Sequence, residues 1–257
     1  MGPDRQRTRR IEVFGLRLPL VREGDDLAAM IVRAAEESGT GIEEGDVLVV
    51  SQVVVSKAEG RVLPLAALEP SEAALSLAAR TGKDPRHVEA ILREAVEVVR
   101  VRGEVIITET RHGFVCANSG VDLSNVGEGM VSLLPLDPDL SARRIRERIR
   151  ELTGKEVAVI VSDSHGRPFR RGAVNVAIGS SGIEPVLDLR GRPDLYGRVL
   201  RSKQICVVDE LASAAELVMG NADEGIPVAI IRGYEYRRSE LRVRDAVVRP
   251  REEDLFR

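Results

Sequence analysis

Asp163 closes an apolar run, Val157-Ala158-Val159-Ile160-Val161-Ser162, and is followed by Ser164, His165 and Gly166. A carboxylate at the end of a buried strand is a common placement for a magnesium or manganese ligand. The Ser164 hydroxyl could reach a second ion or a phosphate. Asp163 could instead simply cap the following segment, and His165 reads as an ordinary loop histidine. A second oxygen-rich cluster, Asn118-Ser119-Gly120-Val121-Asp122-Leu123-Ser124-Asn125-Val126, suits a hard cation or a phosphate, although such residues also make turns for local reasons. Lys57, within Ser56-Lys57-Ala58-Glu59-Gly60, could neutralise phosphate oxygens, but spacing alone favours a solvated strand-end residue. Arg170-Arg171-Gly172 offers guanidinium forks for phosphate or carboxylate, or else a plain surface pair. The segment Met219-Gly220-Asn221-Ala222-Asp223-Glu224-Gly225-Ile226-Pro227 could surround a nucleotide with oxygens and backbone donors, or merely connect a helix to a strand.

The chemistry common to these clusters is metal-assisted phosphoryl transfer, in which positioning and charge neutralisation do most of the catalysis. There is no Walker A loop and no G-x-G-x-x-G after a strand, so the familiar nucleotide fingerprints are missing. The three histidines (His87, His112 and His165) and two cysteines (Cys116 and Cys206) show no zinc-like spacing, so any metal must take oxygen ligands. Both cysteines lie in apolar segments and read as buried free thiols of a reducing cytoplasm.

The elements that must position these groups are mixed. A helix is expected from Asp25 to Ser38 and a continuous buried strand from Asp46 to Val55. Helices opened by Pro70-Ser71-Glu72 and by Asp84-Pro85 follow, the second reaching about Val99. Glu104–Thr110 and Phe114–Asn118 form a hairpin turned at Arg111-His112-Gly113. Ser141–Leu152 is a charged helix stopped by Gly154, and Val157–Ser162 is a second buried strand. Short strands near 173–179, 185–190 and 199–208, a helix from Glu210 to Met219 and a strand at 227–232 complete the pattern. The irregular alternation favours a mixed α+β architecture over a doubly wound sheet.

The chain of 257 residues carries 43% hydrophobic and 31% charged residues with a net charge of −3, typical of a globular protein without a nucleic-acid footprint. No apolar run approaches the roughly 20 residues needed to cross a bilayer, so a cytoplasmic protein is expected. Residues 1–10, rich in arginine, read as a disordered basic terminus ahead of a catalytic domain spanning 11–257, with room for two subdomains.

Seven segments then occur in a telling order: Leu18-Pro19-Leu20 with Glu23-Gly24-Asp25-Asp26, Ser56–Gly60, Asn118–Val126, Leu136-Asp137-Pro138-Asp139, Phe169–Gly172, Asp194-Leu195-Tyr196-Gly197-Arg198 and Asp223–Pro227. The series, from about Ile11 to Arg232, resembles the coenzyme F420-0:L-glutamate ligase family. The resemblance implies an α+β fold forming an intertwined homodimer, with F420-0, L-glutamate and GTP as substrates. GTP would phosphorylate a carboxylate of F420-0, and the glutamate amine would displace the phosphate to form an amide. It also implies two divalent ions, magnesium or manganese, and leaves potassium open as an auxiliary. No flavin is expected, because the chain ends before the flavin-binding extension of some relatives.

Position by position, the resemblance makes Asp122 and Asp163 ligands of one ion, with Lys57 as the third catalytic group. Ser164, where the family has threonine, and Asn221, where it tends to have glutamate or glutamine, fall at the second ion. Nucleotide contacts fall at Leu16, Arg17, Leu18, Pro19, Ser51, Gln52, Lys57, Asn125 and the loop Met219, Gly220, Asn221, Ala222, Asp223, Glu224, Gly225 and Ile226. Apart from what the resemblance implies, the guanidinium pair Arg170-Arg171 is expected to bind the phosphate of F420-0. The other readings are a different metal-dependent phosphoryl-transfer enzyme on the same fold and a nucleotide-binding module without catalysis.

Overall fold

The computed structural model describes residues 9–255. The first eight residues of the expected basic terminus lie outside that range; Arg9 and Arg10 are exposed, and Arg10 pairs with Glu12 at 2.8 Å. The chain opens with β1 (Glu12–Leu16), α1 (Leu27–Glu37), β2 (Val47–Ser51), α2 (Gln52–Ala58) and β3 (Val62–Pro64). It continues through α3 (Glu72–Thr81), α4 (Pro85–Glu94), β4 (Ala95–Arg102), β5 (Val105–Thr110), β6 (Val115–Ala117), β7 (Met130–Ser132) and α5 (Pro138–Thr153). The remainder is β8 (Ala158–Gly166), β9 (Ala173–Ser181), β10 (Val186–Asp188), β11 (Gln204–Cys206), α6 (Val207–Met219), β12 (Val228–Arg232) and α7 (Val243–Ala246).

The architecture is the expected irregular α+β. Its centre is a five-stranded sheet ordered β1-β12-β2-β8-β9, in which only the β2–β8 pair is parallel. Val47–Val50, Ala158–Val161 and Val228–Ile231 are all fully buried, as uninterrupted apolar strands covered on both faces should be. Helices α1 and α5 pack together, with α5 against β8 and β9, while α6 lies against β9, β1 and β12. At Gly179 the backbone of α5 comes so near that a Cβ would sit 2.2 Å from the Pro138 carbonyl carbon.

A second, smaller apolar cluster gathers α3, α4 and the β3–β7 pair, with Leu77, Ile91, Ile106 and Val131 at its heart. The three-stranded sheet β4-β5-β6 borders it. Among the described residues, no helix is long and apolar enough to cross a membrane.

Several boundaries differ from the sequence reading. The expected strand Asp46–Val55 stops at Ser51, and its second half is helix α2. Val54 and Val55 are buried there, so tertiary burial overrides the β-branched preference for strand. Helix α4 ends at Glu94 rather than about Val99, because Ala95–Arg102 alternates half-buried and exposed residues and pairs with β5. Strand β8 runs past Asp163 to Gly166, held by β9, so Asp163 lies within the strand and at the end of its buried half. The free thiols are as expected: Cys116 is buried, Cys206 is half-buried, and burial pushes both up to about 12.

Candidate active site

The ends of β2 and β8, side by side in the parallel pair, put Ser51 opposite Ser162. Asp163 and Ser164 follow directly, so four polar side chains stand where the buried strands emerge. This is the floor of an open cleft of about 1010 Å3, its mouth included. From the β2 side, α2 contributes Gln52 and Lys57. The wall opposite is the loop after α6, including Met219, Asn221, Ala222 and Glu224. Leu18 and Pro19 border the cleft after β1, and Asp122, Ser124 and Asn125 reach it from the smaller cluster.

Local geometry explains these placements. Gly220 takes φ +68° to end α6, and a Cβ there would meet the Glu224 carboxyl at 2.2 Å, so glycine lets the loop fold back. The Ala222 N–H donates to Glu224 Oε2 at 2.8 Å, a bond that leads the causes holding the Glu224 carboxyl below its ordinary value. Asp122 bridges to Ser132 through backbone bonds, and its Oδ1 accepts the Ser124 N–H at 2.9 Å. Its Oδ2 accepts the Ser124 hydroxyl. Asn125 adopts φ +55° and donates Nδ2 to the Ala222 carbonyl at 3.2 Å, joining the two walls over the cleft.

Electrostatically, the cleft mixes a lysine with carboxylates that none of the described Lys or Arg side chains neutralises. Lys57 is half-buried with no ion pair among the described residues, and desolvation lowers its ammonium pKa. His165 Nε2 stands 3.6 Å from Asp163 Oδ2, beyond hydrogen-bond length. Ser164 donates to Asn175 Oδ1 at 3.1 Å, and Asn221 Nδ2 donates to Ser164 Oγ at 3.1 Å and to Glu216 Oε1.

Most of the residues singled out in the sequence therefore meet in one place. Leu16 does not: it is buried in the main core. Arg17 and Asp223 are exposed and do not line the cleft. Arg170 and Arg171 are exposed on the turn between β8 and β9, also outside the cleft wall and without ion pairs among the described residues. Sequence reasoning gave no role to Ser162, Asn175 or Glu216. Ser162 and Asn175 sit inside strand patterns that read as core, and Glu216 lies on a helix face whose partner, β9, is distant in sequence.

Oxygen donors suited to a hard cation are present: carboxylates at Asp122 and Asp163, the Ser164 hydroxyl and the Asn175 amide. The Ser162 hydroxyl also lines the cleft, buried and without a hydrogen-bond partner among the described residues, and so adds one more oxygen donor to the set. No three acidic, histidine or cysteine side chains among the described residues converge tightly enough to enclose a metal. A cation here must complete its shell with hydroxyl, amide, water or substrate oxygens, the usual habit of magnesium.

The sequence pattern of the F420-0:Gamma-glutamyl ligase family matches residues 15–233. The chain is 52% identical over 242 residues to the coenzyme F420:L-glutamate ligase of Methanothermobacter thermautotrophicus, covering 93% of this chain and 96% of that one. It is 50% identical over 251 residues to the protein of the same name from Methanocaldococcus jannaschii, covering 97% and 98%. With that of Methanopyrus kandleri the identity is 55% over 240 residues, covering 92% and 93%. With both the family pattern and these relatives matched nearly from end to end, the chain belongs to the F420-0:gamma-glutamyl ligase family, a family of ligases that form carbon–nitrogen bonds.

Proposed function

We propose that this protein joins L-glutamate to coenzyme F420-0 through an amide bond in F420 biosynthesis, with GTP as the activating substrate. The observation that carries the reading is the single cleft in which Lys57, Asp122, Asp163 and Ser164 converge from separate segments. A carboxylate is a poor electrophile until one oxygen becomes a leaving group. An F420-0 carboxylate oxygen attacks the γ-phosphorus of GTP, the bond to the β-phosphate oxygen breaks, and GDP departs. The glutamate amine then attacks the acyl carbon, phosphate leaves with the bonding electrons, and the amine releases a proton.

The protein's part is positioning and charge. Lys57 offers an ammonium group, half-desolvated, to phosphate oxygens. The loop 219–226, Leu18, Pro19, Ser51, Gln52 and Asn125 frame the nucleotide. Asp122 and Asp163 would hold one divalent ion and Ser164 the other, beside Asn221, whose amide nitrogen faces Ser164, with potassium as an optional auxiliary. Magnesium or manganese, when bound, supplies further neutralisation of the transferring phosphoryl group. Arg170 and Arg171 remain the proposed partners of the F420-0 phosphate, because both guanidinium groups are exposed and have no carboxylate partner among the described residues. The homodimer is proposed with them; exposed Val96 and Val98 on β4 give it apolar surface to cover.

The test is an assay of the purified chain with F420-0, L-glutamate, GTP and manganese. GDP release should depend on both acceptor and amine, with a glutamylated product visible by mass. GTP turnover without that product would remove the ligase reading.

A further inference from the structure

Helix α6 presents Asp209, Ser213 and Glu216 on one face, and all three engage the backbone of β9. Asp209 accepts the Ala177 N–H at 2.9 Å, the Ser213 hydroxyl donates to the Asn175 carbonyl at 2.7 Å, and Glu216 Oε2 accepts the Asn175 N–H at 2.8 Å. This stripe satisfies the outer edge of the sheet. Glu216 differs from the other two in what its second oxygen meets. Oε1 accepts a bond from Asn221 Nδ2, and that same nitrogen donates to Ser164 Oγ at 3.1 Å, so Glu216 stands directly behind two side chains of the cleft lining without lining it itself.

The orientation of Asn221 follows from this. A carboxylate only accepts hydrogen bonds, so the asparagine must present its nitrogen, not its oxygen, to Glu216. The side chain thus turns the wrong end toward Ser164 for a cation ligand. Its positively polarised nitrogen instead occupies a point between a hydroxyl and a carboxylate oxygen. Glu216 is half-buried and has no Lys or Arg partner among the described residues. An independent observation marks the same face of β8. Ser162, two residues before Ser164, carries a hydroxyl that is buried, lines the cleft and has no hydrogen-bond partner among the described residues.

We propose that Glu216, not Asn221, supplies the charged oxygen for the divalent ion on the Ser164 side of the cleft. The Asn221 nitrogen stands where that ion would bind, so the Asn221 side chain must give way to it. Ser164 Oγ and Asn175 Oδ1 offer the neighbouring oxygens, and Glu216 Oε2 stays on the Asn175 N–H. The inference rests on the metal-dependent ligase reading.

The test reads metal uptake. Manganese is titrated into the full chain, alone and with GDP, while the signal of free aqueous manganese is followed by electron paramagnetic resonance. The wild type should take up two ions. Glu216→Gln should keep one and bind the other at least tenfold more weakly, whereas glutamine still accepts the Asn175 N–H and preserves the fold. Asn221→Ala should leave both affinities within about threefold, because the side chain it removes is only a placeholder. Adding Asn221→Glu to Glu216→Gln should restore the lost ion. If Glu216→Gln fails to melt cooperatively, Glu216→Asp provides the comparison, with a retracted charge expected to weaken the same ion.

Equal uptake by wild type and Glu216→Gln, a tenfold loss in Asn221→Ala, or fewer than two ions in the wild type overturns the assignment. Product formation by a chain showing any of these results leaves the ligase reading standing. Two ions lost and restored as described, with no glutamylated product formed, would overturn the ligase reading and keep the Glu216 assignment.

Discussion

The two sides of the cleft rest on differently built regions. Beneath Ser162, Asp163 and Ser164, the central strands are apolar and fully buried from Val47 to Val50, Ala158 to Val161 and Val228 to Ile231. Beneath Asp122 and Asn125, the smaller region is threaded with buried polar groups. The Ser119 hydroxyl donates to the Ile91 carbonyl at 2.9 Å and meets Thr108 at 2.8 Å. Glu94 pairs with Arg61 at 3.0 Å and Arg111 at 3.1 Å, and Glu89 holds Ser71 and Arg93. The floor is therefore held by non-directional burial, and the facing wall by directional bonds and charge. The floor should tolerate changes of pH and lose activity without losing stability. The wall should couple the two.

Asp163→Asn is the sharpest probe of the floor. The side chain is partly exposed at the cleft and makes no ion pair that the fold depends on. Loss of its charge should lower kcat/KM for glutamylation by about a thousandfold, close to 4 kcal/mol, while the melting temperature stays within a few degrees. A large fall in melting temperature with modest loss of turnover would make Asp163 a structural residue and break the contrast.

For the wall the corresponding probe is Glu89→Gln. The Ser71 N–H leads, then Arg93 and the Ser71 hydroxyl, in holding the Glu89 carboxyl at about 2 against an ordinary 4.5. Because the folded value is depressed, this contribution is complete above the unfolded value and is lost as pH falls from 4.5 toward 2. Arg93 is half-exposed, so screening reduces the gain to about 1–2 kcal/mol at neutral pH. Hydrogen exchange in α3 and α4 should show that deficit in the variant near pH 7, with the difference from wild type shrinking as pH approaches about 2. A deficit that persists undiminished in acid would mean that packing, not charge, carries it.

The same contrast governs what the sequence discloses. Asp163 was legible because it stands at the end of an apolar run, and the run itself announces a buried strand. The smaller region was harder to read. Helix α4 and strand β4 join without a loop at Glu94–Ala95, so the alternation of Ala95–Arg102 was absorbed into the preceding helix. Helix α2 hid within a β-branched run, because the bond from Ser56 to the Leu133 carbonyl, 2.7 Å long, ties it to residues far along the chain. Glu216 lay beyond reach for a similar reason. Its partners are Asn175 on one strand and Asn221 on a loop, and no local spacing joins all three.

The smallest effect should come from Asn125, where this wall meets the loop after α6 across the cleft. Its side chain donates to the Ala222 carbonyl at 3.2 Å, and its backbone sits at φ +55°. Asparagine tolerates that left-handed conformation better than alanine does, by roughly 1 kcal/mol. The exposed hydrogen bond is worth about as much again at most. Asn125→Ala should therefore raise KM for GTP about tenfold and leave kcat within about threefold, the signature of lost binding common to ground and transition states. Asn125→Gly separates the two contributions, since glycine accepts the conformation and still lacks the amide. Should the glycine variant match wild type, the backbone shape alone matters. If it matches alanine, the bond to Ala222 is what draws the wall over the nucleotide. A fall in kcat in both variants would place Asn125 in the chemical step, beside Asp122 on the same wall.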